Sequence, residues 1–134
     1  MSIKISVDGV TSEFDNYNID AVLTELEKKA VSFIKNEFIT RNIDFECIRF
    51  RRRCKDYLTL LAPNDFDFCR IKTTERVTWF TIHGLNLPKH IQNDERFNDT
   101  KKNLVHWKVR LDNVGDFETN SDLIAESFVS IRDL

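Results

Sequence analysis

The stretch Asn103-Leu-Val-His-Trp-Lys-Val-Arg-Leu111 decides the reading of this chain, together with Ser121-Asp-Leu-Ile-Ala-Glu-Ser-Phe128 after it. From Leu104 to Leu111, the residues Val105, Trp107, Val109 and Leu111 alternate with His106, Lys108 and Arg110. A period of two is the mark of a strand with one buried and one wet face, so a strand over 104–111 with Trp107 in the core is expected. Asn113–Glu118 reads as a turn. Ser121–Ile131 reads as a closing helix, capped from Thr119 to Ser121, with Leu123, Ile124, Phe128 and Ile131 facing inward.

Working back towards the N-terminus, Ile19, Val22, Leu23, Leu26, Ala30, Phe33, Ile34 and Phe38 recur at spacings of three and four. That spacing predicts one long amphipathic helix, capped by Asn18 or Asp20 and ending near Thr40, before Asn42. Four short strands are expected between these helices: Phe45–Arg52, Tyr57–Ala62, Phe66–Lys72 and Val77–His83. Their separators, Arg53-Cys-Lys-Asp56, Pro63-Asn-Asp65 and Thr73-Thr-Glu75, suit hairpins. Asn86-Leu-Pro88 marks a turn, because the residue before proline is pushed out of the helical region. Lys89–Thr100 then reads as a short helix or ordered loop anchored by Ile91 and Phe97. The expected fold class is α+β: an antiparallel sheet of about five strands, with a long N-terminal helix and a C-terminal helix packed on it.

The 134 residues suit a single domain over 1–134, long enough to fold without staples. An apolar fraction of 41% beside a charged fraction of 31% is that of an ordinary globular chain. Cys47, Cys54 and Cys69 form no CxxC pair, which argues against a disulfide framework or a zinc knuckle and for reduced thiols in a cytoplasmic protein. The N-terminus alternates as a strand does and lacks a signal-peptide pattern, and no apolar run approaches the ~20 residues of a membrane span. No membrane role is expected.

In the C-terminal half, Leu85-Asn-Leu-Pro-Lys89, Asp94-x-Arg96, Asn103, His106-Trp107, Leu123-Ile124 and Ser127-Phe128 follow one another in an order that resembles the MmcQ/YjbR-like family. They also resemble a related uncharacterised small domain at the ends of bacterial proteins labelled "predicted transport protein". The resemblance covers roughly the last 50 residues. It implies antiparallel strands with helices on one side, a CyaY-like arrangement. Members of the better-known family are suspected of binding DNA, whereas the related domain has no established activity.

Charge is uneven beneath a net of −2: residues 41–76 carry 9 basic and 6 acidic side chains, and both flanking segments are acidic. The surplus concentrates at Arg49, Arg51, Arg52, Arg53 and Lys55, with Phe50 and Tyr57 interleaved. Guanidinium groups neutralise phosphates and release counterions, and aromatics stack on bases, so this segment, helped by Arg70, Lys72 and Arg76, is the candidate nucleic-acid site. The alternative is a solvated hairpin whose charges protect a sheet edge. The domain would then be a protein-interaction or regulatory module, acting with a protein partner or as a homodimer.

Enzyme signatures fail. There is no GxxxxGK[ST], GxGxxG or GxSxG. Pro63-Asn-Asp65 hints at a nuclease strand, yet Cys69-Arg-Ile-Lys72 lacks the second carboxylate. A Cys69–His83 nucleophile pair is imaginable, but Cys69 stands amid Phe66, Phe68 and Ile71, where cysteine acts as a small hydrophobe. His83, His90 and His106 are far apart with no ligand-spaced carboxylate or cysteine, so no metal or cofactor is expected. Non-enzymatic binding is the resulting expectation.

Overall fold

The computed structural model describes the backbone of residues 2–7, 10–15, 23–54, 57–74, 76–84, 86–97 and 106–134, and their side chains except those of 2–7, 10–15, 46 and 52–54. Strands β1 (Ser2–Val7) and β2 (Val10–Asp15) form a two-stranded hairpin. Helix α1 (Glu25–Thr40) follows, then a 3-10 turn at Phe45–Cys47. Strands β3 (Arg49–Cys54), β4 (Tyr57–Leu61), β5 (Asp67–Thr73), β6 (Thr78–His83) and β7 (His106–Leu111) make one sheet in chain order, each antiparallel to the next. Between β6 and β7 lie α2 (Lys89–Gln92) and a 3-10 turn at Glu95–Phe97, and α3 (Asp116–Arg132) closes the chain. This is the expected α+β architecture with a five-stranded antiparallel sheet.

Two helix starts differ from expectation. Helix α1 begins at Glu25 rather than after Asn18 or Asp20, which lie outside the described residues. Thr24 wins because it has a glutamate three residues on: the Glu27 N–H donates to its hydroxyl at 3.2 Å, and its own N–H donates to the Glu27 carboxylate at 2.9 Å. At the other end, Asn42 adopts φ 57°, a left-handed stop that asparagine tolerates. Helix α3 starts at Asp116, five residues before the expected Ser121. The Asp116 carboxylate accepts the N–H groups of Asp112 and Asn113 at 2.8 and 3.2 Å. The polar residues that looked like caps instead fold back onto the helix, with the Asn120 amide on the Asp116 carbonyl and the Ser121 hydroxyl on that of Glu118.

Helices α1 and α3 lie on one face of the sheet. Ala30, Val31, Ile34 and Phe38 of α1 meet Leu123, Ile124, Phe128 and Ile131 of α3 over Phe50, Leu58, Leu60, Cys69, Ile71, Phe80, Ile82 and Val109 of the strands. Phe128 sits 5.0 Å from Phe38 and 5.1 Å from Phe68, ring centre to ring centre. Trp107 faces this side as expected but is only half-buried, at the margin of the core. There the edge of Phe97 meets its ring at 4.8 Å, and Gly84 leaves no room for a Cβ, which would stand 2.6 Å from the indole nitrogen. Its expected neighbour Val105 lies outside the described residues. Phe45, expected to open a strand, is in the 3-10 turn, and Phe66 stands 55% exposed in the turn before β5. Ile91 and Phe97 anchor their segment as expected.

Arg96 ties that segment to α3. Its guanidinium reaches both oxygens of Asp122 at 2.7 and 3.0 Å and the Asp94 carboxylate at 2.7 Å. Those bonds hold the Asp94 carboxyl below the usual carboxylate range and push Arg96 further up.

Candidate functional site

Because successive strand residues point to opposite faces, the register that buries one set of side chains exposes another on the face away from α1 and α3. Two rows cross that face. Arg51 pairs with Thr59, Thr59 with Arg70, Arg70 with Thr81, and Thr81 with Lys108, which alternates cations with threonines across all five strands. Four interstrand spacings of about 4.8 Å make this row about 19 Å long. Beside it, Tyr57 pairs with Lys72, Lys72 with Trp79, and Trp79 with Arg110.

The second row is an aromatic platform roofed by cations. The rings of Tyr57 and Trp79 are 5.5 Å apart. The Lys72 ammonium lies 5.4 Å from the Tyr57 ring centre and 5.9 Å from that of Trp79, and Lys108 lies 4.4 Å from that of Trp79. Such contacts favour a cation over the negative face of a ring. A cavity of about 650 Å³ opens here, lined by Arg51, Tyr57, Thr59, Leu61, Asp65, Asp67, Arg70 and Trp79. Its two carboxylates are paired: Asp65 with Arg49, and Asp67 with the Arg70 Nε at 3.1 Å.

A third row is made of histidines. His83 and His106 face each other across β6 and β7 with ring centres 5.4 Å apart, and His106 Nε2 stands 3.6 Å from Asp67 Oδ2. One ligand atom from each of Asp67, His83 and His106 falls within 4.8 Å of the others, so these three residues could hold a metal ion. His83 and His106, far apart in sequence, are brought side by side by the pairing of β6 with β7. His90 stays apart, exposed on α2. Burial keeps the His83 imidazole below its usual pKa, with His106 acting in the same direction.

Of the cationic residues expected to form the site, Arg49, Arg51, Arg70 and Lys72 share the open face. The side chains of Arg52, Arg53 and Lys55 lie outside the described residues, and Arg76 is exposed in the β5–β6 turn. The positions of the two rows that sequence reasoning did not assign to it are Thr59, Thr81, Trp79, Lys108 and Arg110, which need the register of β4 to β7 to be placed. Cys69 and His83 are separated by the sheet. Cys69 faces the core, where burial pushes its thiol well above its usual pKa. Pro63–Asp65 is a turn, with Asp65 at φ 70°.

No family model, curated protein or solved structure matches this chain. Among the described residues no helix is long and apolar enough to cross a membrane.

Proposed function

We propose that the open face of the sheet binds single-stranded nucleic acid without catalysis. The observation that carries this reading is the pairing of the Arg51–Thr59–Arg70–Thr81–Lys108 row with the Tyr57–Lys72–Trp79–Arg110 row. A sheet presenting aromatics among cations offers stacking surfaces for unpaired bases and charges for the backbone beside them. Reading a duplex calls for a helix or a two-stranded ribbon that enters the major groove. A broad sheet face is the wrong shape for that. Lys72 and Lys108 already occupy the positions over the rings that a base would take, and their flexible stems can swing aside to meet phosphates.

Fluorescence anisotropy with labelled 20-nucleotide DNA and RNA strands at 50 and 200 mM salt tests this reading. Engagement of Arg51, Arg70, Lys72 and Lys108 gives about four phosphate contacts and a slope of log K against log salt near about −3. The variant Arg51→Ala/Lys72→Ala/Lys108→Ala should flatten that slope by about two units. Tyr57→Leu should weaken binding about tenfold with little change in slope, as loss of one stacked base does. Absence of binding at 50 mM salt, or an unaltered slope in the triple variant, removes the proposal. Absence together with a dimer in solution would turn the same face into a protein-interaction surface.

A further inference from the structure

The histidine row has a composition that phosphate binding does not need, and Asp67 joins it because of a fault in β5. On an unbroken strand, alternation outward from Arg70 would turn Cys69 inward, Phe68 outward and Asp67 inward. Instead Leu60 pairs with Cys69 and Leu61 with Asp67, so Phe68 is the extra residue of a bulge. Its ring enters the core between Phe38 and Phe128, and the Asp67 carboxylate comes out on the open face beside His83 and His106. Bulges that re-aim a side chain in this way are over-represented beside functional sites.

We propose that Asp67, His83 and His106 bind one divalent transition-metal ion of the zinc class, leaving a coordination position open towards the cavity of the same face. Two imidazoles and a carboxylate suit zinc and its neighbours, whereas magnesium and calcium prefer oxygen ligands throughout. Three protein ligands with an open fourth position is the pattern of zinc sites that take up water or a substrate. A tetrahedral ion with bonds of about 2.1 Å needs ligand atoms about 3.4 Å apart, which small rotations reach from the 4.8 Å envelope present. Arg70 supplies the outer partner that orients a ligating carboxylate, its Nε donating to Asp67 Oδ2 at 3.1 Å. A plain Asp67–His106 ion pair would explain two of the three residues. It leaves His83 out, and the Nδ1 of His83 is buried without a hydrogen-bond partner among the described residues. An ion accounts for all three.

The test needs no nucleic acid, so its outcome is separate from that of the proposed function. The full chain, stripped with EDTA and dialysed, is titrated calorimetrically with zinc chloride, and in parallel with cobalt chloride while visible absorption is recorded. One zinc ion per chain is expected, with cobalt bands of a four- or five-coordinate site. His83→Ala, His106→Ala and Asp67→Asn should each weaken uptake at least tenfold, and His90→Ala should leave it unchanged. Circular dichroism checks folding. Should an alanine variant unfold, His83→Gln and His106→Gln keep the volume and carry the same expectation. The assignment is overturned if the folded wild-type chain takes up no zinc, or if His83→Gln/His106→Gln takes it up undiminished.

Discussion

The two faces of the sheet are built from the same strands and differ in almost every physical respect. One is a wall of phenylalanine, leucine and isoleucine against α1 and α3, with Phe50, Phe68 and Phe80 wholly buried. The other carries arginines, lysines, threonines, two histidines and the Tyr57–Trp79 pair. The first face supplies the stability of the domain, and the second is left to carry chemistry. The division should appear in measurement as core substitutions that unfold the protein without touching ligands, and open-face substitutions that do the reverse.

The largest effect is expected at Phe128, which packs against Phe38 and Phe68 together. Phe128→Ala should cost about 3–5 kcal/mol in chemical denaturation, through lost burial and the cavity left behind. A loss near 1 kcal/mol would mean that the helical layer is not the main source of stability.

Next comes Ser127, where the two faces are coupled. Its buried hydroxyl donates to the carbonyl of the bulged Phe68 at 2.8 Å, and the carbonyl of His83 lies 3.5 Å away. Ser127→Ala removes that buried bond and should cost about 2 kcal/mol. Because that bond holds the residue that aims Asp67, the same variant should weaken zinc uptake from the opposite side of the sheet. Uptake at wild-type strength in Ser127→Ala would show that the bulge keeps its shape unaided.

Arg96→Ala should cost less, about 1–2 kcal/mol, since its carboxylate partners are partly solvated and screened. Its signature is in the acid limb. A carboxyl held below its usual pKa stabilises the fold fully above that value, near pH 4, and the contribution is lost as pH falls through the lower folded value. Melting temperatures of the wild type should therefore fall more steeply below pH 4 than those of Arg96→Ala. Parallel curves would refute the pairing.

The smallest effect on stability belongs to the open face itself. Lys72→Ala/Lys108→Ala should change unfolding free energy by no more than about 0.5 kcal/mol, as surface substitutions usually do. A large loss would mean that the cation-roofed rings are structural, and would weaken the contrast between the faces.

How much of this was legible beforehand follows from the range over which each feature is decided. Alternation along Tyr57–Leu61 or His106–Leu111, the three-and-four spacing from Ala30 to Phe38, the stop at Asn42 and the inward set Leu123, Ile124, Phe128 and Ile131 are local. Each depends on residues within a turn or two of itself, so the order of strands and helices and the α+β class were open to a reader of the sequence. Helix starts were less so, because Asn18, Asp20, Thr24 and Thr119 to Ser121 offer similar capping groups, and the choice among them rests on which carboxylate reaches back. On the open face the cations Arg49, Arg51, Arg70 and Lys72 were expected, whereas their neighbours were decided by pairing. His83 and His106 are adjacent because β6 and β7 align in one register, Asp67 joins them because a single residue bulges, and Arg96 finds Asp122 across 26 positions. Those juxtapositions depend on chain segments distant in sequence, and the side chains that meet there have no periodicity of their own. Burial of the opposite face sets the register, and the open face inherits whatever neighbours that register brings together.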